Sequence, residues 1–279
     1  MRDRRTIAID GNTIAYVDEG DGPVALFVHG VFLNADLWAP AMGQLAPGRR
    51  AVAIDLPAHG GTPAVADMTL PALADLLERF CARLELGPVD LVANDTGGAL
   101  AQVFAARHPQ RLRTLTLTNC DASDNLPPEL FRPIVELSEK GEFAPMAVEM
   151  AADLDFARSD AALGAGFEGP LDDETVLGFV GPCVGTIERA RDLERFIASL
   201  SAADLMAVEA DLRQMEAPTL IVWGTADVFF DRSWATWLRD TIAGASEIVE
   251  IDGAKLFFPY ERAGELVPHL ERHWAAAAD

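Results

Sequence analysis

One segment, Leu91-Val92-Ala93-Asn94-Asp95-Thr96-Gly97-Gly98-Ala99-Leu100, constrains this chain more than any other. Three apolar residues run into a short polar corner, and two glycines then open an alanine-rich helical stretch. This is the form of a strand–elbow–helix, in which one side chain is thrust out on a strained turn. Here the projected side chain is the carboxylate of Asp95.

The flanking pattern says what kind of sheet holds such an elbow. Thr6–Ile9 and Thr13–Asp18, around Asp10-Gly11-Asn12, read as an opening hairpin. Val24–Val28 is a continuous apolar run of the kind buried on both faces of a parallel sheet. Ala51–Ile54, Val89–Ala93 and Arg113–Asn119 follow as further strands, and residues 70–84 carry apolar side chains at helical spacing. Strands alternating with helices imply a doubly wound, mostly parallel sheet whose ligands lie outside the carboxyl ends of the strands.

The alternation stops after Asp121 and resumes at Thr219–Trp223 and Glu247–Ile251. Between them lie helical apolar stripes such as Leu130-Phe131-Ile134-Val135-Leu137. The simplest division is a core of residues 1–122 and 215–279 with a helical lid, 123–214, inserted after the strand ending near Asn119. A chain of 279 residues, half of them hydrophobic, is long enough for that core and lid.

The formal charge of −22 opposes binding to nucleic acid or to anionic membranes. No apolar run approaches a membrane span, and no secretory h-region follows Met1-Arg2-Asp3-Arg4-Arg5. Cys81, Cys120 and Cys183 are odd in number and widely spaced, fitting neither a disulfide framework nor a zinc site. The expectations are a cytoplasmic location, a small-molecule substrate, and neither metal nor cofactor.

With His29-Gly30 after the third strand, Asp55-Leu56-Pro57-Ala58-His59-Gly60 after the fourth, the elbow, and Trp223-Gly224-Thr225-Ala226-Asp227, the chain resembles the α/β-hydrolase superfamily over nearly its whole length. Each motif alone is weak; four in order, each at a strand end, are specific. Within that superfamily an elbow aspartate looks like the haloalkane dehalogenase and epoxide hydrolase branch. There a carboxylate, already ionised, attacks carbon and forms an ester that water later cleaves. The resemblance implies Asp95 as nucleophile, the N–H groups of Val31 and Thr96 as oxyanion donors, and Asp227 as supporting acid, with Asp121 as the alternative.

The same resemblance exposes a gap. Matching Gly253-Ala254 and Glu261-Arg262 to the turn after the last strand puts Leu256 where the superfamily has its catalytic histidine; neighbouring registers give Lys255 or Phe257. The accessory groups of the aspartate branch also differ: Thr96 replaces a halide-binding tryptophan, and the only tyrosines, Tyr16 and Tyr260, fall outside the lid. His29, Asn34, Asn94, Phe229, Leu256 and Phe257 complete the expected pocket, although structural roles for the histidine and asparagines and core roles for the aromatics are the simpler alternatives. The reading is an enzyme acting through Asp95 on a small, largely apolar substrate, by hydrolysis of a carbon–halogen, epoxide or ester bond. Its alternatives are a lyase, isomerase or cyclase using Asp95 as an acid/base, or a silent small-ligand binder.

Overall fold

The fold is taken from a computed structural model that describes residues 2–277. Met1 of the basic start and Ala278 and Asp279 of the alanine-rich end lie outside the described residues. The chain opens with the hairpin of β1 (Arg5–Ile9) and β2 (Asn12–Gly20), turning through Asp10 and Gly11, both at positive φ as a tight primed turn requires. Next come β3 (Val24–Val28), a single helical turn α1 (Ala39–Met42), β4 (Arg50–Ile54) and helix α2 (Leu70–Arg83). Strand β5 (Val89–Asp95) feeds directly into α3 (Thr96–Arg107), and β6 (Leu112–Cys120) follows.

Five helices then leave the sheet: α4 (Arg132–Lys140), α5 (Phe143–Ala151), α6 (Leu154–Ala157), α7 (Asp173–Val184) and α8 (Ile187–Ala198). A sixth, α9 (Ala202–Leu212), returns to pack on α3 of the core. The chain closes with β7 (Thr219–Gly224), α10 (Arg232–Thr241), β8 (Ala245–Ile251), a turn of helix α11 (Phe258–Glu261) and α12 (Ala263–Ala276).

Among the described residues eight strands form one sheet in the order β1-β2-β4-β3-β5-β6-β7-β8, antiparallel through β2 and parallel from β4 to β8. This is the α/β-hydrolase fold. All five residues of β3 and all seven of β5 are buried, because helices cover both faces. From β3 the chain runs outward to β4 and then returns to β5 on the other side. A crevice therefore opens between the carboxyl ends of β3 and β5, where two loops diverge. The Leu130–Leu137 stripe does not disappear into a core: of its apolar residues only Val135 is buried, and Phe131 and Ile134 face that crevice.

Candidate active site

Strand β5 runs through Asp95 itself, two residues past its apolar stretch, and α3 starts at the next residue. The turn is made at Asp95, whose φ of 58° and ψ of −136° lie where residues with a Cβ are rarely found. Such a conformation costs roughly 1–3 kcal/mol and persists only when its surroundings over-determine it. Glycines do so here by permitting close approach. A Cβ on Gly97 would lie 2.4 Å from the His29 carbonyl oxygen, and one on Gly98 2.3 Å from Cys120 Cβ. A Cβ on Gly30 would lie 2.1 Å from Asp95 Oδ2.

That last approach brings the loop after β3 onto the carboxylate. The N–H of Val31 donates to Asp95 Oδ2 at 2.9 Å, and the N–H of Thr96 also favours the charged form. Asp95 Oδ1 has no hydrogen-bond partner among the described residues, and Asp95 lines the cavity above it. One oxygen is pinned and the other is free.

Burial dominates the electrostatics. Desolvation, reinforced by the charge of Asp227, lifts Asp95 to about 7 against the pull of the Val31 and Thr96 amides. Desolvation likewise lifts Asp227 to about 6, although its carboxylate accepts from Phe229 N–H at 2.8 Å and from Asn119 Nδ2 at 2.7 Å. Asp121 is fully buried, and neither of its oxygens has a partner; the Thr96 hydroxyl faces it outside hydrogen-bonding geometry. Burial and the neighbouring Asp95 charge push it well above the usual carboxylate range. Among the described residues no cluster of three His, Cys, Asp or Glu side chains could hold a metal ion.

Above Asp95 the sheet and the inserted helices enclose a cavity of about 340 Å³. Val31, Thr96, Phe229, Leu256 and Phe257, all singled out from sequence, line it with Asp95. Leu256 is buried, and its carbonyl accepts from Asn94 Nδ2 at 3.0 Å, so an aliphatic wall stands where a base would be sought. Asp121 and Asp227 lie behind the carboxylate, off the cavity wall.

Three expected pocket residues do not reach the cavity, and each has a structural reason. His29 is fully buried, its Nδ1 bonded to the Gly30 carbonyl and its Nε2 accepting from Leu56 N–H at 3.0 Å. Burial lowers it to about 4, so it stays neutral and braces the β3 and β4 loops. Asn34 caps the turn at Ala35–Trp38 and ties Gly178 of α7 to the core through Nδ2 at 2.9 Å. Asn94 points away from Asp95, as alternation along β5 demands, and spends its amide on Thr118 and Leu256.

Two contributions were not singled out from the sequence. Asn119, at the end of β6, holds Asp227 and both backbone groups of Gly224. Phe32, at a φ of 64°, turns into the cavity beside Phe131 and Phe143. An asparagine following the Leu–Thr alternation of β6 was the visible signal for the first; nothing local announces a left-handed phenylalanine.

Residues 23–142 match the family described as alpha/beta hydrolase fold. A monoacylglycerol lipase of Xenopus laevis (abhd6-B) is 26% identical over 241 residues, covering 83% of this chain and 69% of that protein. A haloalkane dehalogenase of Mesorhizobium japonicum is 38% identical over 112 residues, 39% of this chain and 36% of the relative. The solved structure of an alpha/beta hydrolase fold protein from Burkholderia ambifaria superposes with a TM-score of 0.82 at 21% identity, covering 95% of this chain and 96% of that one.

Proposed function

Because this chain carries the α/β-hydrolase fold, we propose that it is a hydrolase-like enzyme that draws a small, largely apolar molecule under its inserted helices and acts on it through Asp95. The observation that carries this reading is the division of labour within one carboxylate. Asp95 Oδ2 is fixed by Val31 N–H, while Oδ1 is free and borders the cavity. An ionised oxygen held in this way can attack an electrophilic carbon with no proton to remove first. At a haloalkane or epoxide a bond forms from Oδ1 to saturated carbon, the bond to the leaving oxygen or halogen breaks with its electron pair, and an ester of Asp95 results. At an ester the acyl carbon is attacked, the alkoxide leaves and a mixed anhydride results. The N–H groups of Val31 and Thr96 would then stabilise the oxyanion when water cleaves either intermediate. Asp227, oriented by Asn119 and Phe229, is the better-held supporting acid; Asp121 has no such partners. Residues 123–214, with Asn34 anchoring α7, serve as the lid, and the last helix of that span rests on the core.

A second reading draws on a specific observation: the wall beside Asp95 is Leu256 and Phe257, and no tryptophan or tyrosine lines the cavity among the described residues. Water activation, halide binding and epoxide protonation therefore have no dedicated donor or base there. A carboxylate lifted to about 7 by burial is suited to exchange protons near neutrality, the requirement of a lyase or isomerase. Turnover of a panel of apolar haloalkanes, epoxides and esters tests both readings. Loss of activity in Asp95→Asn is expected; retained activity would remove Asp95 from the chemistry.

A further inference from the structure

The cavity's charge balance says which molecules it accepts. Its wall carries two ionisable side chains among the described residues, Asp95 and Asp160, and no arginine, lysine or histidine. Asp160 lies at the exposed rim, where Lys255 Nζ meets it at 3.3 Å. Behind Asp95 stand three further acids, the buried Asp121 and Cys120 thiol and the partly exposed Asp227. The buried Asp95 charge therefore has amide donors but no counter-ion. The remaining wall is hydrocarbon and aromatic, with Phe32, Phe131, Phe143, Phe156, Phe229 and Phe257 around the void.

An anionic ligand would meet unopposed negative potential in a desolvated space, a placement that costs heavily. A cation placed on Asp95 would find its partner and aromatic faces at once. The number of donors narrows the choice. Among the described residues the deep wall offers an ammonium one side-chain acceptor, Asp95 Oδ1, because the Thr96 hydroxyl faces Asp121, so a primary ammonium would bring three N–H groups to a single side-chain oxygen. A tertiary ammonium has one N–H and needs one acceptor.

We infer that this cavity is a binding site for hydrophobic tertiary amines, the ammonium N–H donating to Asp95 Oδ1 and the hydrocarbon body lying along the phenylalanine wall. This inference rests on the cavity and the free oxygen of Asp95 being the substrate site, and not on nucleophilic attack.

Calorimetric titration with N,N-dimethyl-3-phenylpropylamine, 4-phenylbutan-1-ol and 4-phenylbutanoate tests it with ligands that lack a leaving group. At pH 8 the amine should bind at least about tenfold more tightly than the alcohol, as a charged hydrogen bond supplies, and the carboxylate more weakly than either. In wild type the amine affinity should climb about tenfold per pH unit below the titration of Asp95 and level off above it, while the alcohol's stays flat. In Asp95→Asn the amine should fall to the level of the alcohol. Equal affinities for amine and alcohol, a flat pH profile in wild type, or a preference that survives in a folded Asp95→Asn would overturn the assignment. Amine binding without any labelling by reactive probes would contradict nucleophilic attack and leave this inference standing.

Discussion

Asn94 Nδ2 donates to the carbonyl of Leu256 at 3.0 Å, so the residue before the projected carboxylate fixes the backbone where a general base would be carried. The strand end of β5 and the loop after β8 are thus joined at the site although that loop supplies no base. Leu256 is thereby held at the cavity wall by the strand that carries Asp95.

Leu256→His should therefore act locally. If Asp95 forms an ester, the introduced histidine should shorten its lifetime by about two to four powers of ten, the usual contribution of a general base. Leu256→Ala, which opens space without supplying a base, should not reproduce that gain. Decay of the adduct followed by intact mass checks both variants.

Gly30→Ala and Gly97→Ala should separate site from scaffold. The new Cβ at position 30 would collide with the Asp95 carboxylate itself, whereas at position 97 it would meet the backbone carbonyls of His29 and Val28. Gly97→Ala should lower stability by about 1–3 kcal/mol, as overpacking does. Gly30→Ala should reduce activity by more than its change in melting temperature accounts for. Denaturation curves measured beside turnover decide the point.

The desolvated carboxylates should make the stability of this protein pH-dependent in a definite direction. An ordinary aspartate titrates near 3.8, whereas Asp95 does so at about 7 and Asp227 at about 6. Between those values the folded state keeps protons that the unfolded chain has released, so these groups lower stability as pH rises from about 4 to 7. His29 and His59, lowered by burial to about 4 and 3, act oppositely, because below about 6.5 the unfolded chain takes up their protons first. Comparing wild type with Asp95→Asn cancels the histidines. The variant's melting temperature relative to wild type should increase from pH 5 to pH 8; a constant difference would mean that Asp95 bears no desolvation cost.

The fold was legible because its strands are written as buried apolar runs ending in polar corners: Val24–Val28, Ala51–Ile54 and Val89–Ala93 all lie in observed strands. The elbow was legible because Gly97 and Gly98 directly follow the polar corner, although the close approaches that require them, to Val28, His29 and Cys120, come from distant segments. Side-chain direction at strand ends and in loops was harder to read. His29, Asn34 and Asn94 have the chemistry of pocket residues, yet each is consumed by a buried backbone partner. Those partners, Leu56, Gly178 and Leu256, are distant in sequence, and only the tertiary structure brings them together. The wall of the cavity comes largely from the inserted helices, where apolar stripes do not say whether they face a core or a void.

The most direct test of the central claim is intact-mass analysis after incubation with an apolar haloalkane, epoxide and ester in parallel. A covalent adduct of the probe's mass, less its leaving group where one departs, is expected, mapped by peptide sequencing to Asp95 and absent from Asp95→Asn. An adduct on another residue, or labelling and turnover unchanged in Asp95→Asn, would contradict it.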